Sequence, residues 1–210
     1  MQIITIIFVF ELSISLQQDN QKEIKQSESM HTLQHYEIAT VGGGCFWCTE
    51  AVFREVKGVV SIETGYSGGN IKNPSYMEVC NGSTGHAEVV QVRFDPSLIS
   101  YKQILEVFFQ THNPTTLNQQ GADTGSQYRS VIFYHDQGQK EIAGQLINEL
   151  SKSGVYKKPI VTELSTFTAF YKAEDYHQHY FAKNPNAYYC TVIIRPKIEK
   201  FIKNYTNKIE

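Results

Sequence analysis

Several signatures that assign a function at a glance are missing from this chain of 210 residues. It has only four cysteines, too few at this length for a disulfide scaffold. Cys45 and Cys48 form one Cys-x-x-C, but no second pair follows, and Cys80 and Cys190 stand far from it. His177 and His179 lie two apart on what reads as a helix, the wrong spacing for one face, so no metal site is expected. Neither a Gly-x-Gly-x-x-Gly nor a Gly-Lys-Ser/Thr is present to cradle a phosphate. There is no internal repeat, and no apolar run of the ~20 residues that span a bilayer. Lys and Arg number 19 against 21 Asp and Glu, net charge −2, without a long basic run, which argues against nucleic acid as a partner. The lysines near the C-terminus (Lys197, Lys200, Lys203, Lys208) read as a solvated helical face. One domain with tails, a monomer by default, fits the length.

The first 34 residues stand apart from that domain. Ile3 to Phe10 is almost purely apolar, with Ser13 and Ser15 at the spacing of a signal-peptidase site and a polar stretch to Met30. The missing Lys or Arg before the run and the intrusion of Glu11 weaken the pattern. The reading is a leader over 1–34 acting as a weak signal peptide for export, without stable membrane association. A cytoplasmic chain with a disordered or transit-type extension is the alternative.

The most informative stretch is Gly43-Gly44-Cys45-Phe46-Trp47-Cys48-Thr49-Glu50, which holds the only tryptophan. An apolar strand over 37–41, a glycine turn, and helical spacing in Trp47, Ala51 and Val52, closed by Gly58, place Cys45 at the first turn of a helix. Free backbone N–H groups and the helix dipole there favour a thiolate. Phe46 and Trp47 beside it offer an apolar wall, so redox chemistry on a small substrate is expected.

Further strands are predicted over 59–66, 86–94, 128–135 and 160–167. One helix is predicted to open at Asp95-Pro96, with Leu98, Tyr101, Leu105, Phe108 and Phe109 inward, and another to run from Gln137 to about Ser151, ended by Gly154. Thr168 to Ile194, rich in aromatics, reads as ordered coil around a short helix. Helices interleaved with strands point to an α+β two-layer sandwich. Strand alternation sets Glu88 on the face of Val90, Val92 and Phe94. A carboxyl there either reaches water at the strand end or sits in a low-dielectric site with a raised pKa, able to donate a proton at neutral pH. The loop over 118–130, with its glycines, amides and Asp123, reads equally as turn chemistry or as a functional loop. Tyr76 and Tyr128 are possible hydroxyl donors, although most of 13 tyrosines will be packing residues.

Five blocks in order carry a resemblance. They are Gly-Cys-Phe-Trp with Glu50, Pro74 to Cys80, Thr84 to Val90, Asp123 to Ser130, and Ala173 to Gln178 with Tyr180. From about Glu37 to Lys197 the chain resembles the peptide methionine sulfoxide reductase A family. The resemblance implies a ferredoxin-like core of mixed or antiparallel sheet plus helices, with a long ordered C-terminal coil. It places a catalytic domain over 35–198 and a tail over 199–210. It implies repair of oxidised proteins, by reduction of methionine S-sulfoxide, free or in polypeptides. Cys45 would attack the sulfoxide sulfur, Glu88 would protonate the oxygen, and Tyr76 and Tyr128 would hydrogen-bond it. Phe46 and Trp47 would hold the methyl group, and Asp123 would orient the site.

The sulfenic acid left on Cys45 then needs a second thiol. Cys190 matches a position that some relatives use for resolving. Cys48, glycine in many relatives, is the alternative as resolver or relay. Cys190 is favoured, because Trp47 and Cys48 should already be turning into the helix. Cys80 is read as buried and structural. No cofactor is implied; thioredoxin or another dithiol is the expected reductant and partner. Two other readings compete: a thiol–disulfide oxidoreductase using Cys45 and Cys48, and a silent binding module for oxidised methionine peptides.

Overall fold

The computed structural model describes residues 35–206; the expected leader over 1–34 lies outside the described residues. The chain runs β1 (Glu37–Gly42), α1 (Phe46–Phe53), β2 (Val59–Ser67), α2 (Tyr76–Cys80), β3 (Ala87–Phe94) and α3 (Tyr101–Thr111). A small ribbon of β4 (Gln119–Gln120) and β5 (Asp123–Thr124) precedes β6 (Val131–Tyr134) and α4 (Gln137–Lys152). Then follow β7 (Glu163–Thr166), β8 (Phe170–Lys172), α5 (Tyr180–Lys183), a π turn (Cys190–Ile194) and α6 (Arg195–Thr206).

Six strands make one sheet in the order β7-β6-β1-β3-β2-β8. Its four central strands are antiparallel in the order β6-β1-β3-β2, which is the ferredoxin-like arrangement built from two βαβ halves. β7 joins parallel to β6, and β8 antiparallel to β2. The expected α+β sandwich is therefore observed.

Alternation along the strands divides the core in two. Ala39, Val41, Val90, Val92, Phe94 and Ile132 face the helices, whereas Ala87, Val89, Val131 and Phe133 lie on the other side under Phe167 and Phe170. Glu88, two residues before Val90, points with the helix-facing set. On that side α1 is buried almost all round, as a helix must be when it is wedged between a sheet and other helices. Ile104, Leu105 and Phe108 of α3 are fully buried beside it, each such side chain contributing about 1.5–3 kcal/mol.

Several boundaries differ from the predicted ones, each for a local reason. Asp95-Pro96 does not open the helix: the Asp95 carboxylate accepts from Ser97 N–H and Oγ–H (2.9 and 2.6 Å), forming a turn. The helix starts after Ser100, whose hydroxyl and Gln103 form a capping box. Leu98 is consequently in the turn and 59 % exposed. α1 ends at Phe53, and Gly58 closes the following turn with φ +93°. Tyr128 belongs to a 3₁₀ turn, which shortens the strand to Val131–Tyr134, and the predicted strand over 160–167 shortens to Glu163–Thr166. Residues 168–194 hold a strand and a π turn besides the short helix. The predicted tail boundary at 198/199 falls inside α6, where Ile198 and Phe201 are buried.

Gly42 shows how tightly the sheet is closed around the acid. A Cβ added there would lie 2.6 Å from the Glu88 carbonyl oxygen, too close to be accommodated without moving β1 from β3. Gly42→Ala is expected to lower stability by about 2 kcal/mol in urea unfolding. An unchanged midpoint would show that β1 and β3 have slack at this position.

Candidate active site

The turn between β1 and α1 sets the nucleophile. Gly44 takes a left-handed φ of +84°, which lets the chain reverse before the helix, and its N–H donates to the Tyr128 carbonyl at 3.2 Å. Cys45 is thereby the N-cap residue of α1, with φ −56° and ψ 124°. The first free N–H of the helix, that of Phe46, donates to Glu88 Oε2 at 3.0 Å; the Cys45 sulfur takes no capping hydrogen bond, and the Trp47 N–H only favours its charge. Cys45 is 8 % and Glu88 1 % exposed, so thiol and carboxyl meet out of water.

Protonation follows from that burial. Glu88 is raised from 4.5 to about 8, chiefly by desolvation, against the pull of Phe46 N–H and with help from the charges of Asp123 and Cys48. Of the two roles open to it, the low-dielectric one is met: Glu88 is a neutral acid at neutral pH. Cys45 departs from expectation. Burial, its contact with the Cys48 thiol and the nearby Glu88 push it up, and the Trp47 N–H only partly offsets this. Cys48 falls to about 7, first through its hydrogen bond with Cys45, with Lys197 and the Tyr189 hydroxyl assisting. Burial thus opposes the thiolate expected on Cys45, whereas the neighbours of Cys48 favour charge there.

Aromatic rings wall the site. Phe46 is buried, with its ring 5.0 Å from that of His177 and 6.0 Å from that of Tyr66. Trp47 lies flat on Tyr180, centroids 3.6 Å apart and 6° from parallel. Its indole N–H donates to His177 Nδ1 at 3.1 Å, which makes the Nε2–H form the neutral tautomer of that buried ring. His177 and His179 sit in a turn before α5, not on a helix; His179 is left-handed at φ 58° and is held by the buried carboxylate of Glu50 through its N–H and Nδ1, both at 2.9 Å. Tyr76, at the start of α2, is fixed by its N–H to Glu174 Oε1 (2.9 Å) and shares a hydrogen bond with the Cys80 thiol. Cys80 is half-buried rather than buried. Burial and Glu88 raise both Tyr76 and Tyr128, so both stay neutral phenols able to donate.

Asp123 enters through a residue that sequence reasoning passed over. The Tyr189 hydroxyl donates to Asp123 Oδ2 at 3.0 Å, lies 3.8 Å from Cys48 Sγ, and its ring meets Trp47 edge-on at 5.9 Å. Cys190, next in the chain, is fully buried and feels the charge of Cys48. Trp47 and Cys48 lie in the first turn of α1, as expected, with Cys45 at its N-cap, and the two thiols act on one another's charge. The contributions of His177, Tyr180 and Tyr189 lay in an aromatic-rich segment without periodicity; His177 and Tyr180 stood in a block of the resemblance, whereas Tyr189 was marked only by the density of rings. Among the described residues, no cluster of three His, Cys, Asp or Glu could hold a metal.

The chain matches the family model described as peptide methionine sulfoxide reductase over residues 37–210. It is 57 % identical over 172 residues to peptide methionine sulfoxide reductase MsrA of Sulfolobus acidocaldarius, covering 82 % of this chain and 97 % of that one. The Saccharolobus solfataricus protein of the same name is 54 % identical over 174 residues, covering 83 % and 97 %. Among solved structures, reduced Mxr1 from Saccharomyces cerevisiae is similar with TM-score 0.69 at 36 % identity, covering 74 % of this chain and 89 % of that one. Methionine sulfoxide reductase A of Corynebacterium diphtheriae gives 0.64 at 36 %, covering 73 % and 77 %.

Glu88 holds its proton up to about pH 8 in the folded chain, against 4.5 when freed from it. Between these values the folded state binds the extra proton, so stability is full below 4.5 and declines as pH rises to about 8. Urea midpoints of the wild type should fall across this window, while Glu88→Gln, which has no proton to lose, should be flatter by a few kcal/mol. Parallel profiles would mean that Glu88 titrates normally.

Proposed function

The chain belongs to the peptide methionine sulfoxide reductase family and is an oxidoreductase that reduces methionine sulfoxide, and we propose that Cys45, Glu88 and Cys48 carry the reaction. One observation carries this reading: Cys45 is the N-cap of the helix whose first N–H holds the Glu88 carboxyl, in a site that keeps that carboxyl protonated. The oxygen of a sulfoxide leaves poorly until it is protonated, so a nucleophile beside a neutral acid is what the chemistry requires.

In the proposed cycle, methionine S-sulfoxide, free or in a polypeptide, sets its S-methyl group against Phe46 and Trp47. Tyr76 and Tyr128 donate to its oxygen, and Asp123 helps orient the site. Cys45 passes its proton across the contact to Cys48 and attacks the sulfoxide sulfur while Glu88 protonates the oxygen. An S–S bond forms, the hydroxyl takes the proton from Cys48 and leaves the methionine sulfur as water, and that water attacks the Cys45 sulfur and returns a proton to Glu88; the S–S bond breaks, methionine departs, and Cys45 is left as a sulfenic acid, so that a thiol plus a sulfoxide yield a sulfenic acid plus a thioether. The Cys48 thiolate then attacks the Cys45 sulfur; the hydroxyl takes the Glu88 proton and leaves as water, and a Cys45–Cys48 disulfide forms. A dithiol protein of the thioredoxin class then supplies two electrons and two protons. Cys190, behind Cys48, is the second thiol placed to take over the disulfide.

The protein mixed with methionine S-sulfoxide and no reductant should release about one methionine per chain and show a Cys45–Cys48 bond by peptide mass. Cys45→Ser should release none. Glu88→Gln should slow methionine formation about 10²-fold, and wild-type single-turnover rates should fall above about pH 8, where the acid is spent. No methionine from either epimer would sink this mechanism. A Cys45–Cys190 bond would keep the chemistry and overturn Cys48 as first resolver.

A further inference from the structure

Tyr189 has no part in the cycle as set out, yet it touches two of its members from an element that carries neither. Its hydroxyl lies 3.0 Å from Asp123 Oδ2 and 3.8 Å from Cys48 Sγ, and a phenol has one proton for two anionic neighbours. We propose that Tyr189 is a positioning residue for the resolving step, dividing its hydroxyl proton between Asp123 and the Cys48 sulfur, so that the state of the Asp123 loop sets how readily Cys48 attacks. This rests on Cys48 as the resolver.

The arrangement has a definite logic. Donated to Asp123, as observed, the proton satisfies the carboxylate, and the hydroxyl oxygen is left to accept from a Cys48 thiol. When a bound peptide supplies Asp123 with another donor, the hydroxyl turns to Cys48 and stabilises its thiolate. Binding at Asp123 thereby readies the thiol that is needed next. The other groups bearing on Cys48 are fixed in sign. Cys45 at the start of α1 donates to it, and Lys197 of α6 favours its charge, whereas Asp123 of β5 opposes it. Glu88 of β3 and Cys190 of the π turn interact with it when charged. Only Tyr189 can change its hydrogen bond without changing its charge, since burial and these neighbours keep its phenol neutral.

The hydroxyl and the carboxylate therefore act on Cys48 with opposite signs, which a packing role for the Tyr189 ring does not produce. In a Cys45→Ser background, alkylation of Cys48 by iodoacetamide is followed against pH, with peptide mass separating it from Cys80 and Cys190. Tyr189→Phe, which keeps the ring against Trp47, should raise the midpoint by about half a unit, and Asp123→Asn should lower it by about as much. With Cys45 intact, the pH profile of sulfenic acid disappearance after one turnover should move in the same two directions. Unmoved midpoints, or midpoints that move the same way, overturn the proposal even if the mapped disulfide is Cys45–Cys48. Opposite shifts together with a Cys45–Cys190 bond would instead remove Cys48 as resolver, and Tyr189's part in resolving with it.

Discussion

The hydrogen bond from Phe46 N–H to Glu88 Oε2 joins the helix that Cys45 caps to the strand that carries Glu88. A helix start offers few free N–H groups, and this one spends its first on the carboxyl. That choice ties the approach of α1 to the register of β3, and it explains why the β1–α1 turn is so constrained. Gly42 leaves no room for a side chain against β3, and Gly44 must turn left-handed beside Gln120. The same bond fixes the electrostatics. It opposes the raised pKa of Glu88 without undoing it, and the Cys45 sulfur takes no capping hydrogen bond.

The aromatic wall is held with comparable economy. Trp47 is fixed on three sides, by the Tyr180 face, the His177 nitrogen and the Tyr189 edge. His177 in turn packs on Phe46 and Tyr76, and Glu174 holds both the Tyr66 hydroxyl and the Tyr76 N–H at 2.9 Å. In the proposed cycle this wall receives a methyl group, to which it has no hydrogen bond to offer. Its discrimination depends on fixed volume, so interlocked rings serve it better than single ones.

Legibility in the sequence tracked how local each cause was. β1, β3 and α4 were readable because alternation and 3.6-residue spacing are written over consecutive residues, and Glu88 could be placed on its face from β3 alone. The start of α3 was misread because Pro96 at a plausible first-turn position looked decisive, whereas the Ser100–Gln103 box decided it. Cys45 was read as lying in the first helical turn, whereas it is the N-cap just before it. The contacts of Tyr189, His177 and Tyr180 were not legible, because they join positions that lie 66 to more than a hundred residues apart and no periodicity marks them. The expected Cys45 thiolate failed on a term absent from any linear reading, the burial of the sulfur beside another thiol and a carboxyl.

Proton order ties these elements together in the proposed cycle. Near neutral pH burial keeps Glu88 protonated, and the surroundings favour charge on Cys48 and oppose it on Cys45. In that cycle the nucleophile is made when Cys45 passes its proton to Cys48. Once Glu88 has given up its proton, its new charge works against a second thiolate nearby, because Glu88 and Cys48 raise one another when both are ionised. Resolution therefore follows reprotonation of Glu88, a group that regains its proton readily below about pH 8. The order of the steps, acid first and second thiol afterwards, is set by charges sharing a small dry volume.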